Sequence, residues 1–361
     1  MLEHALQPDF FAASRDIAEA YRKKYDIPGL SIAIARNEAL VCVMCLGKAD
    51  TQSGRSVTPS NLFRIASVSK PITSVTLFKL IEAGKLKLSD TVFGDGSIFG
   101  SDFGAPPYLA GVDAITIEHL MTHTAGGWQN DGDDPMFHHG EMDHHELIKW
   151  TIANQQLKNP PGEKFAYSNF GYCILGRVIE KLTGEPYAAA VQRLVLQPCG
   201  IRDMRIAGDT EQERAENEVT YYAAPNNGNP YGMKVARMDS HGGWLSTPTD
   251  LVKFLTRVDG FPRRPDILRS STIKTMVSPT AASGGYAHGW NVNGANNYWH
   301  NGSLPGTASI AVRTSGGYCW AAITNVRRPG TPMESDLDGL MWNMVKAVSI
   351  WPDTDLFAGR S

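Results

Sequence analysis

Strand-like sequence lies at both ends of this chain, and mostly helix-like sequence lies between them. Near the N-terminus, residues 30–35 and 39–46 are apolar, β-rich runs separated by Arg36-Asn37-Glu38, a pattern typical of a hairpin. Strand character returns near the C-terminus, at residues 298–300, 307–313 and 318–324. This distribution favours one antiparallel sheet assembled from both chain ends, with a helical insertion between them.

Helix signals flank these strands and fill the centre of the chain. Residues 10–25 form an amphipathic pattern with Asp9 as its N-cap, and residues 334–350 form the last such pattern. Helical patterns also dominate from about residue 70 to residue 250. Three of them carry end signals: the capping-box pair Asp143 and Glu146 before residues 147–153, Gly184 and Pro186 after residues 168–181, and Thr247-Pro248-x-Asp250 at the start of a helix that runs to Val258.

These patterns predict a fold class of α/β plus all-α, in which an antiparallel sheet flanked by helices carries a helical insertion domain. We expect residues 1–85 and 245–361 to form the sheet domain and residues 86–244 to form the mainly helical domain. Clefts between two such parts are common sites of chemistry, so we expect the active site there.

Composition excludes several classes of protein. The 361 residues are 42% hydrophobic and 20% charged, which is ordinary for a folded chain with a sizeable core. Lys and Arg number 34 against 37 Asp and Glu, and the basic stripe of a nucleic-acid-binding protein is missing. The longest apolar run, residues 39–46, is far shorter than the roughly 18 residues of a membrane span. We therefore expect a soluble protein with neither a nucleic-acid partner nor a membrane span, and the oligomeric state stays open.

Neither the N-terminus nor the metal-ligating residue types indicate export or a cofactor. Met1-Leu2-Glu3-His4 lacks a basic start followed by an apolar stretch, so we expect a cytoplasmic location. The five cysteines are scattered, and the C-x-x-C at residues 42–45 lies within an apolar run, which favours buried thiols. Six of the ten histidines lie within residues 119–145, yet no H-E-x-x-H spacing occurs there, and a polar surface loop explains them. We expect no metal and no cofactor.

The first candidate for chemistry is Ser67-Val68-Ser69-Lys70. A serine and a lysine three residues apart on a helix share a face, so the amine can reach the hydroxyl. Serine needs an adjacent base to become a nucleophile, and a lysine can serve if burial lowers its pKa. An apolar helix follows and ends near Gly84, which places Ser67 at the N-terminal end of a buried helix. The spacing alone is weak, because Ser271-Thr272-Ile273-Lys274 has it too.

Two further motifs follow in the chain. Tyr167-Ser168-Asn169 is its only Y-x-N, and it precedes a predicted helix. His300-Asn301-Gly302 is an H-x-G at the end of a short predicted strand, and Ser303 follows it. Each motif is uninformative alone. In the Y-x-N motif, Ser168 or Asn169 could simply cap the helix and Tyr167 could simply pack, and H-x-G also occurs elsewhere in the chain. The order of the three motifs along the chain and their structural setting are informative.

The ordered motifs and their flanks resemble the serine β-lactamase and penicillin-binding-protein superfamily. Within it, the similarity is to the branch of class C β-lactamases, D-aminopeptidases, DD-carboxypeptidases and family VIII carboxylesterases, and it covers about residues 28–325. The flanking segments that carry it are Phe63-Arg64-Ile65-Ala66, Glu82-Ala83-Gly84-Lys85-Leu86, residues 119–127 (HLMTHTAGG), Pro161-Gly162 and Gly243-Trp244-Leu245-Ser246-Thr247. The resemblance implies a β-lactamase/transpeptidase-like fold.

The resemblance also implies a role for each motif residue. Ser67 resembles the nucleophile that becomes acylated, and Lys70 and Tyr167 would share the proton transfers, in either order. We expect Lys70 to lower the pKa of the Tyr167 phenol, so that the pair titrates as a unit. Asn169 would hydrogen-bond a substrate carbonyl or the Lys70 ammonium group. The oxyanion hole would consist of the backbone N–H groups of Ser67 and Ser303.

The resemblance assigns His300 and Gly302 of the third motif to substrate binding. The motif differs here from many class C β-lactamases, which have a lysine at the position of His300. A lysine is a permanent cation for a substrate carboxylate, whereas a histidine with a pKa near about 6.5 is mostly neutral at pH 7. Some penicillin-binding peptidases of the superfamily also have histidine here. Esters, amides and peptides therefore all stay open as substrates.

The sequence thus predicts an enzyme, a serine hydrolase that works through an acyl-enzyme. The favoured interpretation is a carboxylesterase-like enzyme acting on small esters. The alternatives are a penicillin-binding peptidase or D-amino-acid amidase or aminopeptidase, then a β-lactamase or an acyltransferase. The G-x-S-x-G elbow of α/β-hydrolases does not occur. A catalytically silent scaffold is an alternative of another class, against which the intact Ser67, Lys70 and Tyr167 argue.

Overall fold

The computed structural model describes residues 10–358. Its helices are α1 Ala12–Lys24, α2 Ser69–Glu82, α3 Ile117–Met121, α4 His144–Asn154, α5 Asn169–Thr183, α6 Tyr187–Val191, α7 Pro248–Leu255, α8 Ser270–Met276 and α9 Met333–Lys346. Its strands are β1 Gly29–Arg36, β2 Ala39–Gly47, β3 Phe63–Arg64, β4 Arg205–Ile206, β5 Trp244–Ser246, β6 Asn291–Val292, β7 Tyr298–Leu304, β8 Thr307–Arg313 and β9 Tyr318–Thr324.

Six strands form one antiparallel sheet in the order β2-β1-β9-β8-β7-β6. Strands β1 and β2 join through Asn37 and Glu38, whose φ angles of 48° and 62° belong to a two-residue turn that matches the twist of a hairpin. Strand β1 also pairs with β9 from Leu30 to Arg36. The N-terminal hairpin and the C-terminal strands are therefore one sheet, which confirms the fold class predicted from the sequence.

Alternate residues of β1 face two different cores. Leu30, Ile32 and Ile34 join a cluster that includes residues of α1 and α9. Ala33 and Ala35 join the larger cluster that contains α2, α5 and α7. Because helices cover both faces, the strand is buried on both sides, and its sequence is continuously apolar rather than alternating.

Helix α2 runs through the larger core. Ile72, Val75, Leu77 and Phe78 lie on different sides of it, and all are buried, as the sequence predicts for a helix with an apolar circumference. The helix ends before Gly84, which takes a φ of 72°. Since the first motif opens this helix, its lysine is carried into the protein interior.

A second, three-stranded sheet in the order β3-β5-β4 positions the segment before α2. Strand β3 pairs with β5, and the Ile65 N–H then donates to the Trp244 carbonyl at 3.0 Å. The sheet therefore brings the turn at Ser67 against the segment that ends in Gly243. The sequence patterns did not predict these strands, because two or three residues carry no periodic signal.

Several predicted helix ends are confirmed and others differ. The Asp143–Glu146 capping box and the left-handed Gly184 are present at the start of α4 and at the end of α5. Helix α7 ends at Leu255 rather than Val258, and α9 ends at Lys346 rather than residue 350. Helix α1 has Phe11 at its N-cap position; the predicted cap, Asp9, lies outside the described residues.

Strand β7 is longer than predicted. It continues to Leu304, so His300-Asn301-Gly302 lies within the strand and not at its end. The division into a domain of residues 1–85 and 245–361 and a domain of residues 86–244 stays a prediction. Within residues 10–358, no helix has the length and apolar character needed to cross a membrane.

Candidate active site

Ser67 lies in the tight 3₁₀ turn between β3 and α2. The residue before it, Ala66, takes a φ of 48°, in the left-handed region that residues with a side chain rarely adopt. The Ser309 hydroxyl on β8 donates to the Ile65 carbonyl at 2.7 Å and holds the turn against the sheet. Backbone strain of this kind costs about 1–3 kcal/mol and is concentrated at functional sites.

Lys70 is fully buried, and its terminal nitrogen contacts three oxygen atoms. Nζ donates to Asn169 Oδ1 at 2.8 Å and to the His241 carbonyl at 3.1 Å, and it lies 3.1 Å from Ser67 Oγ. Burial lowers the pKa of Lys70 to about 7, against the opposing attraction of the Asp134 carboxylate. At neutral pH, a large fraction of Lys70 is therefore an uncharged amine beside the serine hydroxyl.

Tyr167 reaches Ser67 from the second motif. Its hydroxyl interacts with the Ser67 side chain, and its ring centroid lies 4.8 Å from Lys70 Nζ. Burial raises the pKa of the Tyr167 phenol. The expectation of a lowered pKa is therefore wrong, because the cost of burying a phenolate is the dominant effect and raises the pKa. Tyr167 stays a neutral phenol at neutral pH.

Asp134 holds the second motif in place. Its carboxylate accepts the backbone N–H of Asn169 at 2.6 Å and that of Phe170 at 3.2 Å, at the N-terminus of α5, where a negative charge is favourable. It also accepts the Met136 N–H at 3.1 Å. Burial raises the pKa of Asp134 to about 6, although these N–H groups and Lys70 lower it. Asp134 thus ties a loop of the cavity to the helix that carries Asn169.

His300 has both ring nitrogens occupied. Nδ1 lies 2.6 Å from the Asn301 carbonyl oxygen, which can only accept, so Nδ1 carries a proton. In the neutral ring Nε2 then accepts from the Tyr286 hydroxyl at 3.0 Å. Burial, aided by the charge of Lys70, lowers the pKa of His300 to about 3. The third motif therefore presents a neutral imidazole, as its sequence predicts for pH 7.

Gly302 allows β7 to approach the Ser67 turn closely. A Cβ atom at this position would lie 2.3 Å from the Ile65 carbonyl oxygen, 2.6 Å from Ser309 Oγ and 2.9 Å from the Ser67 nitrogen. Any larger residue would separate the strand from the turn. The glycine of the H-x-G motif thus has a steric reason that the sequence alone does not reveal.

The register of β7 directs the Ser303 N–H away from β8. The two-residue turn at Pro305-Gly306 joins Leu304 to Thr307, and Gly302 pairs with Ser309. Because hydrogen-bonded pairs alternate along an antiparallel ladder, the N–H of the intervening Ser303 points to the other side of the strand. Ser303 lines the same cavity as Ser67.

These residues meet at a cavity of about 380 Å³. Ser67, Tyr167, Asn169, His300 and Ser303 line it, so the structure brings all three motifs together. Its other lining residues are Asn130, Phe137, Phe165, Met238, His241, Gly242, Tyr286, Asn291, Asn301 and Leu304. Among residues 10–358, no Arg, Lys, Asp or Glu lines this cavity.

Sequence reasoning missed three residues that contact the motifs. Asp134 had no recognisable signal beyond an acidic loop, and Tyr286 belongs to no motif. His123, which packs against Tyr167 at 4.2 Å between ring centroids, does have a signal, since it lies in the HLMTHTAGG segment. In the described part of the chain, no three His, Cys, Asp or Glu side chains are grouped to hold a metal ion.

Comparison with known proteins gives one family match and several relatives. The family model described as Beta-lactamase matches residues 15–340. Esterase EstB of Burkholderia gladioli is 32% identical over 195 residues, which are 51% of this chain and 48% of EstB. The D-alanyl-D-alanine-carboxypeptidase/endopeptidase AmpH of Escherichia coli (strain K12) is 27% identical over 216 residues, 57% of this chain and 51% of AmpH. The chain thus spans about half the length of these two relatives.

Solved structures share the fold. The D-amino acid amidase from Ochrobactrum anthropi SV3 superposes with a TM-score of 0.76 at 22% identity, over 94% of this chain and 99% of the amidase. A penicillin-binding protein homologue from Pyrococcus abyssi superposes with a TM-score of 0.72 at 23% identity, over 93% of this chain and 78% of that one. At these identities, the similarity concerns the fold.

Proposed function

Because the chain belongs to the Beta-lactamase family, we propose that it is a serine hydrolase that works through an acyl-enzyme and acts on small, uncharged carboxylic esters. The observation that carries the choice of substrate is the uncharged lining of the cavity around Ser67. The choice of mechanism rests on the hydrogen bond between Lys70 and Ser67 and on the interaction of the Tyr167 hydroxyl with the Ser67 side chain.

We propose Lys70 as the base that takes the proton of Ser67. A neutral amine has two N–H bonds and one lone pair. The Asn169 amide oxygen and the His241 carbonyl can only accept hydrogen bonds, so they engage the two N–H groups. The lone pair is then directed at the third neighbour, Ser67 Oγ, 3.1 Å away. When Ser67 attacks the ester carbonyl, its proton passes to Lys70, and all three N–H groups of the ammonium ion have acceptors.

Tyr167 is the proposed acid for the leaving group. Its raised pKa keeps the phenol protonated in the resting enzyme, and its hydroxyl lies beside the serine oxygen that forms the new bond. The phenol gives its proton to the departing alkoxide and regains one from Lys70. Water then attacks the acyl-enzyme while losing its proton to the same pair, and Ser67 leaves as a hydroxyl. Proton transfer by positioned groups contributes about 10²–10⁴-fold to rate.

The tetrahedral intermediate needs donors for its oxyanion. We propose the backbone N–H groups of Ser67 and Ser303. The Ser67 N–H lies just before α2. The Ser303 N–H points away from β8, and it lies on β7, which Gly302 allows to pack closely against the Ser67 turn. Loss of one such donor costs about 10²–10³-fold in kcat.

Charged substrates fit this cavity poorly. A penicillin or a C-terminal peptide brings a carboxylate, and a D-amino-acid amide brings an ammonium group. In the described part of the chain, no charged side chain lines the cavity to pair with either group, and His300 is neutral with both ring nitrogens occupied. An ion that is desolvated without a partner costs several kcal/mol. Phe137 and Phe165, 47% and 42% exposed at the cavity, offer instead an apolar surface for the acyl or alcohol group.

Hydrolysis of p-nitrophenyl butyrate by the wild type, Ser67→Ala and Ser271→Ala tests this proposal. Ser271 is the matched control, because it has the same S-x-x-K spacing but is exposed on α8. We expect wild-type turnover in Ser271→Ala and less than about 1% of it in Ser67→Ala. A chromogenic cephalosporin, a D-alanyl-D-alanine peptide and D-phenylalanine amide are measured in parallel. Preference for one of these would establish a β-lactamase, peptidase or amidase instead, and no turnover of any would favour a silent scaffold.

A further inference from the structure

His123 is a buried residue beside the proposed active site that the motif roles do not use. It follows α3 and is 1% exposed. Its backbone has a φ of 57°, in the left-handed region, which costs a residue of this type about 1–3 kcal/mol. A residue held in such a conformation is over-determined by its surroundings, and here those surroundings are the segment of the second motif.

Two hydrogen bonds join His123 to the residues on either side of Tyr167. The His123 carbonyl accepts the Ala166 N–H at 2.7 Å. Its ring Nδ1 accepts the Ser168 N–H at 3.1 Å. One residue thus fixes the backbone both before and after the tyrosine, which leaves little freedom in the direction of the phenol.

The imidazole also packs against the tyrosine ring itself. The two ring centroids are 4.2 Å apart with an interplanar angle of 38°. Tyr286 and Tyr172 lie against the same imidazole, at 4.7 and 5.1 Å. Tyr167 is therefore held at its backbone and at its ring by the same side chain.

The hydrogen bonding determines the tautomer. A backbone N–H can only donate, so Nδ1 of His123 is unprotonated and the proton of the neutral ring is on Nε2. Nε2 is buried and has no hydrogen-bond partner among the described residues. Burial lowers the pKa of His123, and the charge of a protonated Lys70 lowers it further, so the ring stays neutral. A buried unpaired donor costs about 1–3 kcal/mol, a cost that calls for an explanation.

We propose that His123 is a positioning residue for the reaction: through Nδ1, its carbonyl and its ring, it sets the point at which the Tyr167 hydroxyl meets Ser67. The inference rests on the proposed function, because it needs Tyr167 to take part in turnover. Misplacement of a reacting group by about 1 Å can cost on the order of 10²-fold in rate. Loss of His123 should therefore lower kcat and leave substrate binding nearly unchanged.

Two substitutions separate the acceptor from the ring. His123→Phe keeps an aromatic ring and removes the acceptor, whereas His123→Asn keeps an acceptor and is well suited to a left-handed backbone. Both are compared with the wild type on ethyl butyrate, whose alkoxide leaving group needs a proton from Tyr167, with folding checked by denaturation. We expect kcat to fall about 10- to 100-fold in His123→Phe, with KM within about threefold, and to recover most of that loss in His123→Asn.

The same substitution in a Tyr167→Phe background tests whether His123 acts through the phenol. Since the tyrosine hydroxyl is then absent, His123→Phe should lower kcat by less than about threefold further. The inference would be overturned by an equal loss in both backgrounds or by an unchanged kcat in His123→Phe. A kcat in His123→Asn as low as that of Tyr167→Phe would overturn it too. If His123→Phe does not fold, the comparison of His123→Asn with Tyr167→Phe decides alone. An inactive wild type would instead refute the proposed function.

Discussion

Replacement of Gly302 by alanine tests the close approach of β7 to the Ser67 turn. The added Cβ would lie 2.3 Å from the Ile65 carbonyl oxygen, about 1 Å short of the roughly 3.3 Å at which carbon and oxygen make contact. The Ile65 backbone cannot move away easily, because its N–H is hydrogen-bonded to the Trp244 carbonyl and its carbonyl to the Ser309 hydroxyl. The strand must therefore move, and it carries Ser303 with it.

A displacement of about 1 Å between the two proposed oxyanion donors should lower kcat/KM on the order of 10²-fold. Overpacking of this kind costs about 1–3 kcal/mol of unfolding free energy. We expect Gly302→Ala to remain folded and to lose activity far beyond its loss of stability. The assay is p-nitrophenyl butyrate hydrolysis at a temperature where denaturation curves show the variant to be native.

Gly339→Ala is the matched control. Gly339 lies within α9, and a Cβ there meets no atom within 4 Å. In a helix, alanine is more stable than glycine by about 0.5–1 kcal/mol, so this variant should gain stability and keep its activity. A Gly302→Ala enzyme that keeps more than about a third of wild-type kcat/KM would show that β7 does not need to approach the Ser67 turn so closely.

Three further predictions concern the charge and shape of the site. The value of kcat/KM should rise with pH through about 7, because Lys70 is protonated below its lowered pKa and is a free amine above it. A profile with no rise through about pH 7 would contradict Lys70 as the base at neutral pH. His300→Lys should raise the ratio of acylation by a penicillin to acylation by p-nitrophenyl butyrate about tenfold, because an ion pair with the penicillin carboxylate worth about 1.4 kcal/mol gives that factor. An unchanged ratio would show that position 300 does not sense substrate charge. Phe137→Ala and Phe165→Ala should each lower kcat/KM for a bulky aryl or long-chain ester about 5- to 30-fold while sparing the acetate ester, and equal losses on both esters would contradict an apolar binding surface.

The sequence predicted five of the six strands of the main sheet, because those five are long enough to carry a pattern, whereas β6 has only two residues. It also predicted the buried helix that follows Ser67, since the apolar circumference of this helix is visible in the chain. The true end of β7 was within reach too, because Pro305-Gly306 is a turn signal immediately after Leu304.

Other features depend on tertiary contacts that no local pattern encodes. Asp134 meets the N–H groups of residues 35 and 36 positions away, and a single aspartate in an acidic loop gives no indication of such partners. The pKa of the Tyr167 phenol was predicted in the wrong direction, because the proximity of Lys70 follows from the motifs whereas the burial of the phenol does not. Gly302 was recognised from its motif, but its reason is the carbonyl of Ile65, in the segment between β3 and α2.

The most direct test of the account is to trap the acyl-enzyme. Wild type, Ser67→Ala and Ser271→Ala are mixed with p-nitrophenyl butyrate, quenched with acid within the first turnover, and examined by intact mass and peptide mapping. We expect one added butyryl group in the wild type and in Ser271→Ala, located on the peptide that contains Ser67, and none in Ser67→Ala. A butyryl group on another residue, or turnover that persists in Ser67→Ala, would contradict the proposed mechanism.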